Sequence, residues 1–146
     1  MVSKVPNYFD VLFALTPERE RELLELNSGD DKARVYGLRL IEGTRIGNSV
    51  AAKFLLAHGA DINCQDEYGM TALHYAAAYS ARSCIRLLTS FNECNYLLQD
   101  YKGRYASELA YEWGRDYAVG HLLSKKQVRQ AYVQGVSAWD KPKRNL

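Results

Sequence analysis

In this chain of 146 residues the side chains equipped for chemistry are three histidines, three cysteines and two aspartates in matching contexts. His74 is the first candidate, since imidazole is the side chain that titrates near neutral pH and so serves most often as a general acid or base. Asp66 and Asp100 could be read as paired carboxylates. His58 and His121 fall at unrelated helical positions, and neither sits beside a cysteine at metal-ligand spacing. Cys64, Cys84 and Cys94 contain no C-x-x-C pair, so neither zinc nor a redox dithiol is indicated. A phosphate-binding G-x-x-x-x-G-K-[ST] loop and a G-x-S-x-G nucleophile elbow are both missing.

Composition narrows the classes further. At 47% hydrophobic and 25% charged residues the chain is an ordinary globular domain, which excludes disorder, collagen and low complexity. Lys+Arg at 19 against Asp+Glu at 17 leaves a net +2, too little for a whole-molecule field that recruits nucleic acid or anionic membrane. The sign is uneven, however. Residues 124–146 carry Lys125, Lys126, Arg129, Lys141, Lys143 and Arg144 against Asp140, a net +5, and residues 1–123 carry −3. An odd number of cysteines behind an opening (MVSKVPNYFD) that lacks a basic and then apolar signal pattern predicts a reduced, cytoplasmic protein; export without a cleaved signal stays open for a bacterial effector. No apolar run approaches the ~18 residues of a membrane span.

The elements that position these residues emerge from self-comparison. DEYGMTALHYAAAY (66–79) aligns with DYKGRYASELAYEW (100–113) at an offset of 34, matching Asp, Gly and several Ala. The same offset puts Ile85 on Val119 and Leu88 on Leu122, and an offset of 33 puts 53–55 over 86–88. A fixed period of this length means stacked supersecondary units. KFLLAHGADINCQDEYGMTALHYAAA (53–78) resembles the ankyrin repeat, with the GADIN turn and the T-x-L-H-x-A helix start in register. The fold implied is all-α: an ankyrin-repeat solenoid of stacked helix-turn-helix units with β-hairpin-like turns.

Local physics agrees with the resemblance. Gly59 follows an apolar helical run and suits the left-handed residue that ends a helix. Gly69 permits positive φ at the tip of the following turn, and Thr71 is a good N-cap for a helix over 72–79. A second helix, about 81–91, presents Cys84, Ile85, Leu87 and Leu88 at helical spacing. The copies decay on either side. Downstream, the unit has Gly103 and helices over 105–113 and 116–123, with Ser107-Glu108 replacing Leu-His. The connection FNECNYLLQD (91–100) lacks Gly-Ala-Asp and carries one extra residue, which predicts a distorted or shifted hairpin. Upstream, helices over 34–44 and 48–58 form a degenerate unit with no turn signature before it.

The ends read as caps. Thr16-Pro17 opens a helix over 17–26, preceded by a short amphipathic one with Tyr8, Phe9, Leu12, Phe13 and Leu15, and a terminal helix spans about 125–134. The expected organisation is an N-terminal helical cap (1–30), a degenerate repeat (31–65), two repeats (66–99 and 100–124), a capping helix (125–135) and a flexible basic tail (136–146).

Within the repeat context His74 becomes structural, its ring tied to Thr71 and neighbouring turn backbone, and Asp66 and Asp100 become acceptors for turn amides. No catalytic residue, metal ligand or cofactor is therefore expected, and the chain is not read as an enzyme. The resemblance implies a protein partner, met on the concave side by hairpin tips and by the exposed ends of first helices. Those positions are Glu67, Tyr68 and Met70, then Tyr101, Lys102 and Arg104 at the tips. On first helices they are Tyr79, beside Ala78, then Glu112 and Trp113, with Arg45 and Ile46 upstream. Tyr, Trp and Arg are the types most enriched at interface hot spots. A monomeric inhibitor or adaptor is the expected role. The alternative is association of the basic tail, with Tyr132 and Trp139 interleaved, with nucleic acid or anionic membrane.

Overall fold

The structure, a computed structural model, describes residues 30–133. The two expected N-terminal helices and the basic tail lie outside the described residues. Seven helices are described: α1 Asp30–Arg45, α2 Ser49–Ala57, α3 Ala72–Tyr79, α4 Arg82–Thr89, α5 Ala106–Glu112, α6 Asp116–Leu123 and α7 Lys126–Val133. No strand occurs among the described residues. The described residues thus form an all-α solenoid of three antiparallel helix pairs followed by one further helix. Helices α1, α3 and α5 stack as one row, α2, α4 and α6 pack as a second row behind them, and α7 lies against α6.

The central helix shows why alanine dominates the motif. Seven of the eight residues of α3 are buried, because α1 and α5 flank it and α4 backs it. Ala72, Ala76, Ala77 and Ala78 allow that crowding at no loss of helix propensity. Leu40, Leu55, Leu73, Ile85, Leu88, Leu109, Leu122 and Val128 fill the space between the pairs. Burying each such side chain contributes roughly 1.5–3 kcal/mol of transfer free energy.

Helix starts follow chemistry visible in the sequence. Asn48 caps α2 by accepting from the amide of Ala51 at 3.1 Å, and Thr71 caps α3 by accepting from His74 at 3.2 Å. The reversal from first to second helix needs a left-handed residue in every pair. Gly47 (φ 78°), Ser80 (φ 53°) and Gly114 (φ 68°) occupy it, so the central unit holds serine where its neighbours have glycine.

The upstream unit differs from the other two in length. Its first helix has 16 residues against eight and seven in α3 and α5, so helix replaces the hairpin that precedes each of those. This accounts for the missing turn signature. The connection 91–100 departs less than its sequence suggested. Asn95 accepts from Leu97 N at 2.9 Å just as Asp61 accepts from Asn63 N at 2.9 Å, and the Asp100 turn repeats the bonding of the Asp66 turn. The extra residue is absorbed between Thr89 and Asn95, ahead of the turn itself.

Two helical glycines make opposite predictions for one substitution. A Cβ on Gly37 would meet Cys64 Cβ at 2.6 Å and the Asp61 carbonyl at 2.9 Å, both fixed parts of a turn, whereas a Cβ on Gly120 meets nothing within 4 Å. Replacing helical glycine by alanine gains about 1 kcal/mol of propensity. Overpacking costs about 1–3 kcal/mol. Chemical denaturation is expected to show Gly120→Ala stabilising by about 0.5–1 kcal/mol and Gly37→Ala destabilising by at least about 1 kcal/mol; two shifts of the same sign would contradict the packing of α1 on the turn.

Candidate functional site

Two layers of side chains make up the surface on which the expected residues fall: the hairpin tips and the C-terminal ends of the first-row helices. Each tip is a five-residue loop closed by one carboxylate. Asp66 Oδ1 accepts from the amides of Tyr68 and Met70, each at 2.9 Å, and Asp100 Oδ1 accepts from those of Lys102 and Arg104, also at 2.9 Å. Backbone bonds Asp66 N to Met70 O (2.9 Å) and Asp100 N to Arg104 O (3.0 Å) give the hairpin-like pairing. The two aspartates are turn acceptors in successive units, as the repeat reading expects.

Neighbouring tips are bonded to each other. Tyr101 N donates to Tyr68 O at 3.0 Å, and Gln65 Nε2 donates to both Gly69 O (2.8 Å) and Gln99 O (3.0 Å). The Tyr101 ring occupies the place of a side chain at Gly69, where a Cβ would lie 2.5 Å from it. Deeper in the turn, Asn63 Nδ2 donates to Glu93 O and Asn63 Oδ1 accepts from Asn95 N, each at 2.8 Å.

His74 is buried and bonded through both nitrogens. Nδ1 accepts from the Thr71 amide at 3.2 Å and lies 2.9 Å from its hydroxyl, while Nε2 sits 2.9 Å from Arg104 O. A carbonyl can only accept, so Nε2 carries the proton and the ring is neutral. Burial pushes its pKa below the usual 6.5, outweighing the bond to Arg104 O and the charge of Asp100. This is a structural joint between units, with no room for substrate. In the next unit Glu108 holds the equivalent position and accepts from Tyr105 N at 2.8 Å.

Burial raises the Cys84 thiol to about 11 and the Cys94 thiol to about 12, so neither is a ready nucleophile. Among the described residues no group of three or more His, Cys, Asp or Glu is placed to hold a metal ion, and no helix is long and apolar enough to cross a membrane.

The expected partner-binding residues fall into three groups. Tyr68 (60% exposed), Tyr101 (42%), Tyr79 (46%) and Trp113 (51%) present aromatic surface to solvent, with the Tyr79 and Trp113 rings edge to face at 6.0 Å. Arg104 and Glu112 are engaged with each other at 2.8 Å, and Arg104 also clamps the buried carboxylate of Asp100 through Nε (2.9 Å) and its terminal nitrogen (2.8 Å). Arg45 is likewise tied to Glu42, a hydrogen bond that raises its pKa further. Glu67 and Lys102 are exposed at the tips, whereas Met70 is half-buried and packs on the core, and Ala78 is fully buried.

Some surface was not anticipated. Arg34 and Leu38, one helical turn apart on α1, line an open groove of about 570 Å³ with Gln65, Asp66, Glu67 and Tyr101. Their i, i+4 spacing within the helix expected over 34–44 is the available signal. Tyr111 on α5 is 70% exposed and was also missed.

Residues 50–89 match the family described as ankyrin repeats (many copies). Among curated proteins, the chain is 44% identical over 64 residues to Neurogenic locus Notch protein of Drosophila melanogaster, which is 44% of this chain and 2% of that protein. It is 45% identical over 60 residues to Ankyrin repeat domain-containing protein SAT10 of Stachybotrys chartarum, 40% of this chain and 3% of the relative. Cyclin-dependent kinase 4 inhibitor B of Homo sapiens is 29% identical over 105 residues, 72% of this chain and 76% of the relative. The match thus spans only a small part of the first two relatives.

The state of His74 sets a pH dependence. The pKa values of both His74 and the partly buried His121 are lowered in the folded protein, so the unfolded chain binds more protons as pH falls through 6.5. Stability is then expected to be full above about pH 7 and to decline below about pH 6.5, by up to roughly 1.4 kcal/mol per pH unit for buried His74 and by less for the more exposed His121. Denaturation midpoints of wild type and His74→Gln across pH 5–8 check this; an undiminished slope in the variant would remove His74 as a source.

Proposed function

Because this chain is an ankyrin repeat protein, we propose that it is a protein-binding module whose partner contacts the hairpin tips and the ends of the first-row helices. The observation that carries the reading is a set of four exposed aromatics on that side: Tyr79 and Trp113 at equivalent positions of successive first-row helices, and Tyr68 and Tyr101 on neighbouring hairpin tips. Apolar rings left in water at a place built from rigid, mutually bonded turns are the anchors a partner would bury. Surrounding them, Arg45, Arg104 and Glu112 bond within the molecule and so hold the surface in one shape.

The finer reading is a stoichiometric inhibitor that occludes a partner's surface. It is supported by the relative named Cyclin-dependent kinase 4 inhibitor B, which this chain matches over most of the length of both. An adaptor that uses the same face is the variant of this reading. Catalysis is no part of it: His74 and the two turn aspartates, the groups best suited to acid–base work, are consumed by the fold.

A second reading rests on α7, where Lys126 and Arg129 are exposed. Together with the basic residues beyond Gly135 they would attract the phosphates of nucleic acid or an anionic membrane. Binding to either at low salt, lost on truncation at Gly135, is the expected result of that reading; absence of binding to both removes it.

The primary test is an affinity capture from native lysate with wild type beside the Tyr79→Ala/Trp113→Ala double variant, read by mass spectrometry. A single protein retained by wild type alone is expected, with helical content and melting of the variant nearly unchanged. Equal retention by both proteins moves the binding surface elsewhere, and a large loss of variant stability makes the two rings part of the core.

A further inference from the structure

The second row of helices carries charge of one sign. Helices α2, α4, α6 and α7, with the link between α6 and α7, hold Lys53, Arg82, Arg86, Lys125, Lys126 and Arg129, and Asp116 is their one carboxylate. Among the described residues none of these six cations forms an ion pair, whereas Arg45 and Arg104 on the other side of the stack are paired with Glu42, Asp100 and Glu112.

Three basic side chains of this row gather around Thr89, the last residue of α4. The Thr89 hydroxyl donates to Ile85 O at 2.7 Å, so it accepts from His121 Nε2, 2.9 Å away. That bond sets the tautomer: the neutral ring keeps its proton on Nε2, and Nδ1 has no partner among the described residues. Lys125 Nζ lies 3.4 Å from Thr89 O and 6.0 Å from the centre of the Tyr96 ring. Arg86, exposed and three residues before Thr89 on α4, completes the group. Burial, then the charges of Lys125 and Arg86, push the His121 imidazole below its ordinary range, and no carboxylate is among the charges acting on it. The contacts of His121 and Lys125 are to a neutral hydroxyl, carbonyl and ring, which leave the positive charge of the cluster uncompensated.

The make-up of the cluster selects the anion that completes it. A carboxylate brings one charge and two oxygens, whereas a phosphomonoester brings about two charges and three terminal oxygens. The phosphomonoester therefore matches two fixed cations and an imidazole able to take a proton on Nδ1, one donor for each oxygen. A nucleic-acid strand would also need open ring faces for its bases. Here the Tyr117 ring already stacks on His121 at 5.8 Å and carries Arg82 at 4.6 Å, and Tyr96 is buried. We propose that Arg86, His121 and Lys125 bind the phosphate of a phosphorylated peptide segment on the second-row side of the stack. This site is separate from the exposed aromatics of the first row and goes beyond the reading built on them.

The test is a proton NMR titration of the full-length protein, in which the C2 proton of His121 is distinguished from those of His58 and His74 by its loss in His121→Gln. The probes are a blocked Gly-Ser-phosphothreonine-Ser-Gly peptide, its unphosphorylated form, an oligothymidylate, and phosphatidylcholine vesicles with and without phosphatidylserine. Expected is a saturable shift with the phosphopeptide alone, and a His121 titration midpoint raised by about one pH unit in its presence. Arg86→Gln is expected to weaken binding by about tenfold or more at unchanged melting temperature, with part of the loss recovered in Arg86→Lys. Binding is expected to persist in Lys141→Gln/Lys143→Gln/Arg144→Gln and in Tyr79→Ala/Trp113→Ala, which separates the site from the basic tail and from the first-row surface. No shift at about 1 mM phosphopeptide, an equal response to the unphosphorylated form, full affinity in Arg86→Gln, or loss of binding in the tail variant each overturns the inference. A larger response to the oligothymidylate or to phosphatidylserine vesicles than to the phosphopeptide also overturns it, in favour of nucleic acid or membrane.

Discussion

One imidazole joins the second and third units of this protein. The Thr71 amide and hydroxyl engage one nitrogen of His74, and the other donates to a carbonyl in the following turn, so a single ring both starts a helix and fixes the distance to its neighbour. Because the ring must be neutral and buried, the helix beside it must be small-sided, and alanine fills α3. Because the carbonyl it reaches belongs to Arg104, the guanidinium of that residue is carried to Asp100 and Glu112. Packing, turn geometry and surface charge all follow from the one joint.

Local rules made much of this legible in the sequence. Thr71 as a cap, Asp66 and Asp100 as turn acceptors, and Gly59 and Gly69 as left-handed residues each state a backbone requirement that one or two side chains meet. Periodicity placed α2 to α7 to within a few residues for the same reason. Part of what stayed hidden depended on distance. The sequence did not show that α1 runs on through the place of a hairpin, that Ser80 adopts a glycine conformation, or that Asn95 takes over the work of Asp61 in a turn bonded to Asn63 thirty-two residues away. At the surface, residue type marked the aromatics correctly as exposed, but Arg104 and Glu112 could not be seen to cancel until the hairpin and helix end were brought together.

Burial also withdraws several nucleophilic groups from the described surface. Three cysteines lie in the core with all three thiols pushed up by burial, and the phenol of Tyr75 is held protonated by burial and its bond to Asp66.

The zippered tips bear on the kinetics of encounter. Tyr101 N on Tyr68 O, Gln65 bridging to Gln99, and a tyrosine ring seated against Gly69 make adjacent loops a single plate. Loops that must be ordered on contact forfeit conformational entropy and slow association, whereas a plate already formed keeps nearly all its interaction energy for holding the partner. Association would then run at the rate set by orientation alone, about 10⁵–10⁷ M⁻¹s⁻¹, and the choice between good and poor partners would be made by how long each stays.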